Sequence, residues 1–136
     1  LGRISGPLLD RIDMQLEGTA VPVRQITESA PEEPSADIHK RVQAARERQQ
    51  KRYAGEGISC NAELSARQLE TFCQLDDACR ELLGKACDTY HLSMRAVSRV
   101  RKVARTIADL AGAEEIGRAH LLEALRYRNL EGNYWK

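Results

Sequence analysis

The chain has few aromatic side chains and lacks the features of a membrane or secreted protein. Phenylalanine, tyrosine and tryptophan make up 4% of its 136 residues, with a single Phe and a single Trp. No run approaches the roughly 18 apolar residues that a transmembrane helix requires. The N-terminus also lacks the charged and apolar order of a signal peptide. We therefore expect a soluble, cytoplasmic protein with no membrane partner.

A typical zinc site is also missing, because no two of the four cysteines have Cys-x-x-Cys spacing. The four are Cys60, Cys73, Cys79 and Cys87. Free cysteine is usually buried, and thiols stay reduced in the cytoplasm. We therefore expect four reduced, semi-buried side chains and no bound metal.

What remains is a helix-rich composition with 42% apolar and 30% charged residues. A chain of this length can bury a real core. Helix-capping residues recur before apolar segments with helical spacing: Ser35, Ser65 with Gln68 as a capping box, Asp76, and Ser93 before the strongest helix, Met94 to Ala111. We predict an all-α fold, a bundle of four to five helices over residues 35–128, followed by a polar tail over 129–136.

The N-terminal part differs from this pattern. Ile12, Met14 and Leu16 alternate with polar residues, which is typical of a strand. A lone strand has no partner, so we expect residues 1–17 to be the remnant of a larger α/β domain. Residues 18–34 are rich in proline and glutamate and predict a linker with a short extended piece at Val21–Ile26. We expect residues 1–34 to be poorly ordered.

Basic residues concentrate in two of the predicted helical regions. Residues 35–60 hold six basic and three acidic residues, and residues 93–112 hold five basic and one acidic residue. Two interpretations are open: these are solvated helix faces that pair with acidic segments across the fold, or one of them meets phosphate.

Several segments together resemble a known family. Residues 4–13 are similar to the Pro-Leu-Leu-Asp-Arg-Ile/Phe-Asp segment that ends the ATPase core of magnesium-chelatase-like AAA+ proteins and, more distantly, of replicative MCM helicases. Residues 92–95 and 103–110 resemble matching elements of the C-terminal helical lid. With residues 121–128, they point to the competence-associated bacterial branch. The resemblance extends from Ile4 to Arg128.

The resemblance implies a ring-forming, hexameric ATPase that uses ATP and Mg²⁺ and acts on DNA as a branch-migration helicase. The phosphate loop G-x-x-x-x-G-K-[ST] is absent from this chain. We expect it upstream in the full-length protein. The fragment itself is therefore expected to be monomeric, to bind no cofactor and to hydrolyse no ATP, and the neighbouring subunits and DNA are partners of the full-length protein.

Two arginines match functional positions of the family. Arg11 matches the arginine finger, which reaches the ATP of a neighbouring subunit; the alternative is a surface pair with Asp10 or Asp13. Arg95 matches the sensor-2 arginine, which touches the γ-phosphate; the alternative is an ordinary exposed arginine. Guanidinium groups suit both roles because they are always charged and present a planar fork to phosphate oxygens.

The first basic helix allows more than one function. Candidate contacts to DNA or to another subunit are Lys40, Arg41, Arg48, Lys51 and Arg52, and a solvated face is the alternative. Apart from Tyr53, the segment lacks aromatic residues for base stacking. Two other identities stay open for the chain: a freestanding nucleic-acid-binding helical module, or the lid of a true magnesium-chelatase subunit.

Overall fold

A computed structural model describes residues 5–16, 18, 20–28 and 31–128, without the side chains of Asp10, Gln25 and Glu28. The described residues form seven α-helices and one short 3-10 helix, and no strand, which confirms the predicted all-α fold. The helices are α1 (Gly6–Arg11), α2 (Val23–Glu28), α3 (Ser35–Arg52), the 3-10 helix (Asn61–Glu63), α4 (Ala66–Phe72), α5 (Asp77–Tyr90), α6 (Met94–Leu110) and α7 (Arg118–Arg126). The predicted tail over 129–136 lies outside the described residues.

Three of the four predicted helix caps form in the structure. Ser65 and Gln68 form a reciprocal capping box at the start of α4. The carboxylate of Asp76 accepts from the Cys79 N–H at 2.8 Å, and the hydroxyl of Ser93 accepts from the Ala96 N–H at 3.1 Å. Because each cap satisfies an otherwise unpaired N–H, it specifies where its helix begins. The exception is Ser35, which is the first helical residue after Pro34 and makes no side-chain cap.

The core surrounds α6, which packs most extensively against α7 and also against α3, α4 and α1. Small side chains on its inner face, Ala104 and Ala108, are fully buried and allow close helix approach. Leu69, Leu121 and Tyr53 fill the space around them. All four cysteines are free; Cys73 and Cys79 are buried and the other two partly buried, as predicted. Burial raises the pKa of both Cys73 and Cys79 to about 11.

Among the described residues, none of the helices combines the length and the apolarity needed to span a bilayer.

The predicted N-terminal strand is wrong. Residues 6–11 form helix α1, whose first turn is capped by the Ser5 hydroxyl and accommodates Pro7. Proline fits the first turn of a helix because its missing N–H would have no intrahelical partner there. The alternating residues after Arg11 form no strand, because within the described part of the chain no neighbouring strand is present to pair with them. Within the predicted linker, helix α2 replaces the expected extended piece at Val21–Ile26.

Part of the N-terminal region, residues 9–15, makes defined contacts with the helical domain. Leu9 and Gln15 are 6% and 8% exposed, and the Gln15 N–H donates to the Tyr127 carbonyl at 2.8 Å. This stretch is therefore docked on the helical domain.

Along α3, Ile38, Val42, Ala45 and Tyr53 recur at helical spacing and predict an apolar stripe, which is only half buried. Ala45 and Tyr53 lie in the core, whereas Ile38 and Val42 stay more than 40% exposed. Both of these line an open groove of about 610 Å³ between α3, α6, α7 and the segment that follows α1. The sequence pattern identified the face of α3 correctly, but it did not reveal that the first two turns lie beside a groove.

Candidate functional site

Helix α6 carries four arginines, and the structure divides them into two kinds. Arg95 lies in the first turn, two residues after the capping Ser93, and its side chain is exposed. It forms no ion pair and no side-chain hydrogen bond with any described residue. A cation at this end of a helix is slightly disfavoured by the helix dipole. No contact with a described residue offsets this unfavourable placement of the Arg95 side chain.

The other three arginines of α6 all have protein partners. Arg99 pairs with Asp13, which follows α1. Arg101 pairs with Glu70 at 2.7 Å and donates to two carbonyls at the end of α4, those of Leu69 and Cys73, at 3.1 and 2.9 Å. For these arginines, the interpretation that the basic block pairs with other segments of the fold is confirmed.

Arg105 is the most deeply buried of the four, at 3% exposure. Its guanidinium donates to the carbonyls of Ala113 and Glu114 at 2.8 and 2.9 Å, and it lies 3.1 Å from the Asp109 carboxylate. The contacts join the second half of α6 to the loop that leads into α7.

Asp109 is the centre of a buried polar network that joins α6 to α3. Its carboxylate is 1% exposed and accepts two hydrogen bonds from Arg52 at 2.5 and 3.0 Å and one from the Asn61 amide at 3.0 Å. The Asn61 side chain also accepts from the Tyr53 hydroxyl at 2.5 Å and donates to the Thr106 hydroxyl at 3.0 Å. The carboxylate raises the pKa of Arg52 above its ordinary value, because it stabilises the charged guanidinium.

Three residues of these buried contacts, Asp109, Asn61 and Arg105, were not singled out from the sequence. Asp109 is the one acid in the basic block 93–112, and that isolation is a signal that could have identified it. The burial of Arg105 and Asn61 could not be read from spacing, since their partners lie in a loop and on another helix.

Arg11 is the last residue of α1, and its side chain is exposed. Within the described residues it forms no ion pair, and the pair predicted as its alternative with Asp13 is absent because Asp13 contacts Arg99 instead. The Asp10 side chain lies outside the described part. Two residues before Arg11, the buried Leu9 carbonyl accepts from the Gln15 amide at 2.9 Å and from the Arg128 guanidinium at 3.4 Å. The backbone around Arg11 is thus held while its side chain faces solvent.

The candidate residues on α3 do not form one uniform face. Lys40, Arg48 and Lys51 are exposed, and none has an ion-pair partner among the described residues. Arg41 pairs with Glu33 at 2.8 Å on the surface. Arg52 points inward to Asp109, so its guanidinium is committed to the fold.

Known proteins are similar to this chain over most of its length. Residues 32–128 match the family model described as the C-terminal domain of magnesium chelatase subunit ChlI. The chain is 41% identical over 129 residues to the competence protein ComM of Haemophilus influenzae, covering 94% of this chain and 25% of that protein. It is 41% identical over 132 residues to the uncharacterized protein YifB of Escherichia coli, covering 96% and 25%. An uncharacterized protein of Mycobacterium tuberculosis is 34% identical over 128 residues, covering 94% and 25%. The chain thus spans about a quarter of these relatives.

Proposed function

Because the chain belongs to the family of the C-terminal domain of magnesium chelatase subunit ChlI, we propose that it is the lid region of a ring-forming AAA+ ATPase. In this proposal Arg11 is the arginine finger that reaches the ATP of the adjacent subunit, and Arg95 is the sensor that contacts the γ-phosphate. The full-length protein forms a homo-hexamer that remodels DNA. Similarity to a protein named for competence favours DNA over a porphyrin as its substrate.

The observation that carries this proposal is the difference between Arg95 and its neighbours on α6. Arg99, Arg101 and Arg105 each contact an acid, and two of them also contact carbonyls. Arg95 is exposed beside a helix N-terminus, where partly positive N–H groups disfavour a cation but favour an anionic ligand. A phosphate there would be bound by the guanidinium and the helix end together.

Two further features support a phosphate-facing role. Arg11 and Arg95 lie on helices that pack against each other, α1 and α6. Neither guanidinium has an acid partner within the described residues, so both are able to meet the negatively charged oxygens of ATP. We propose that ATP and Mg²⁺ are held by an upstream core carrying the phosphate loop. The bound Mg²⁺ would neutralise charge on the phosphates, while this chain supplies the two guanidinium groups.

Replacing Arg95 with alanine in the full-length protein tests the sensor assignment. We expect kcat for ATP hydrolysis to fall about tenfold or more, because a charge-assisted contact to the transferred phosphate is lost. Steady-state ATPase assays measure the effect. Arg67→Ala is a matched control, since Arg67 is also exposed at the second position of a Ser-capped helix, α4. Equal kinetics for both variants would reduce Arg95 to a surface residue.

A second role rests on the basic side chains of α3. Lys40, Arg48 and Lys51 are exposed and have no acid partner in the described part of the chain. In a ring that handles DNA, such a face can neutralise backbone phosphates, and a contact to the adjacent subunit is the alternative.

The salt dependence of DNA binding separates these roles. We expect the triple substitution of Lys40, Arg48 and Lys51 by alanine in the full-length protein to reduce the slope of log K against log salt by up to about three. A control triple variant at Arg67, Arg80 and Lys85 changes exposed cations on α4 and α5. If both triple variants keep the wild-type slope, Lys40, Arg48 and Lys51 do not contact DNA.

A further inference from the structure

We propose that the helical domain positions the arginine finger through two sets of contacts, and that it thereby moves Arg11 and Arg95 as one unit. The inference rests on the proposed function and deepens it. Asp13, Gln15, Arg99 and Arg128 become positioning residues, which act on ATP hydrolysis through Arg11. A change in the nucleotide sensed by Arg95 would then shift the finger at the neighbouring site.

The first set of contacts is at the Leu9 carbonyl, in the last turn of α1. This oxygen accepts from the Ile12 N–H at 3.1 Å, the Gln15 amide at 2.9 Å and the Arg128 guanidinium at 3.4 Å. Leu9, Gln15 and Arg128 are 6%, 8% and 4% exposed. Because Arg128 follows α7, the end of the helical domain directly holds the backbone two residues before Arg11.

The second set lies on the other side of Arg11. Asp13 pairs with Arg99, and the Gln15 N–H donates to the Tyr127 carbonyl at 2.8 Å. Arg11 is therefore bracketed by anchored residues at positions 9 and 13. A span of two residues on either side leaves the backbone little freedom to move independently of the helical domain.

The partner of Asp13 also connects the finger to the sensor. Arg95 and Arg99 are four residues apart on α6, so they lie on the same face, one helical turn from each other. A displacement of the first turn of α6 moves Arg99 with it. Through its ion pair with Asp13, Arg99 passes this displacement to the backbone two residues after Arg11.

A charge exchange in the full-length protein tests the link. We expect Arg99→Ala and Asp13→Asn each to lower kcat for ATP hydrolysis about fivefold, with KM for ATP within about twofold of wild type, as befits a partly exposed ion pair. The double variant Asp13→Arg with Arg99→Asp should recover most of the loss. Glu81→Gln is the control, because it breaks an exposed pair on α5 with Lys85.

The possible outcomes distinguish this inference from the proposed function. Normal turnover in Arg11→Ala would refute the finger itself. An inactive Arg11→Ala together with normal turnover in Arg99→Ala and Asp13→Asn would retain the finger and refute its positioning. A raised KM with unchanged kcat would assign Arg99 to nucleotide binding and overturn the inference, as would a double variant no more active than the single ones.

Discussion

Replacing Arg11 with alanine in the full-length protein is expected to lower kcat for ATP hydrolysis by roughly 10³-fold or more, because arginine fingers contribute about 10³–10⁵ to phosphoryl transfer. ATP binding should be retained, since the proposed finger would act on the neighbouring subunit's nucleotide in the transition state. Because Arg11 is exposed at the end of α1, its replacement should leave the fold intact. A folding defect would therefore not explain such a loss of activity. ATPase assays together with a nucleotide-binding titration measure the two effects separately.

Two variants sharpen this test. Arg11→Lys keeps the charge but loses the planar fork, so it should recover only a small part of the activity. Arg118→Ala removes another exposed arginine, at the start of α7, and should turn over ATP normally. Mixed rings of wild-type and Arg11→Ala subunits should lose activity at sites that face the variant. A full rate in the Arg11→Ala protein would remove the finger assignment.

Replacing Asp109 with alanine is expected to destabilise the helical domain by about 3–5 kcal/mol, because it leaves buried charges without a partner. Arg52 and Arg105 both contact this carboxylate, and their side chains are 20% and 3% exposed. The Asn61 amide would also lose an acceptor. The cost comes from desolvated donors left unpaired rather than from the modest net value of each hydrogen bond.

Urea unfolding of the 136-residue chain, followed by circular dichroism, measures this free energy. Glu70→Ala is the matched control: Glu70, on α4, pairs with another arginine of α6, Arg101, but Glu70 is largely exposed. That change should cost less than about 1 kcal/mol. If both variants unfold at the same urea concentration, the network around Asp109 does not hold α3 against α6.

The sequence was most informative where a structural feature depends on neighbouring residues. The caps at Ser65, Asp76 and Ser93 could be predicted because each involves a side chain and an N–H only three residues away. The alternation of Ile12, Met14 and Leu16 misled because a strand requires a second strand, which a local pattern cannot supply.

Only part of the candidate site could be predicted from the sequence. The resemblance identified Arg11 and Arg95 as residues of interest, and the structure places both on the surface. The division among the arginines of α6 depends on the packing of α4, of the Ala113–Glu114 loop and of the segment after α1. In the sequence, Arg105 is simply one of the basic residues of α6. Its burial depends on tertiary contacts, which helical spacing does not reveal.

Helix α6 is anchored by buried ion pairs in its last turns, whereas the Arg95 side chain in its first turn has no partner among the described residues. Asp109 anchors its last turns to α3, whereas Arg95 lies about 21 Å away, at 1.5 Å per residue. A tilt of about 5° around the anchor would displace Arg95 by about 2 Å over that length. That distance is enough to make or break a hydrogen bond to a phosphate oxygen. Stiff anchoring far from the proposed phosphate contact would therefore convert a small rotation of α6 into a change of contact at Arg95.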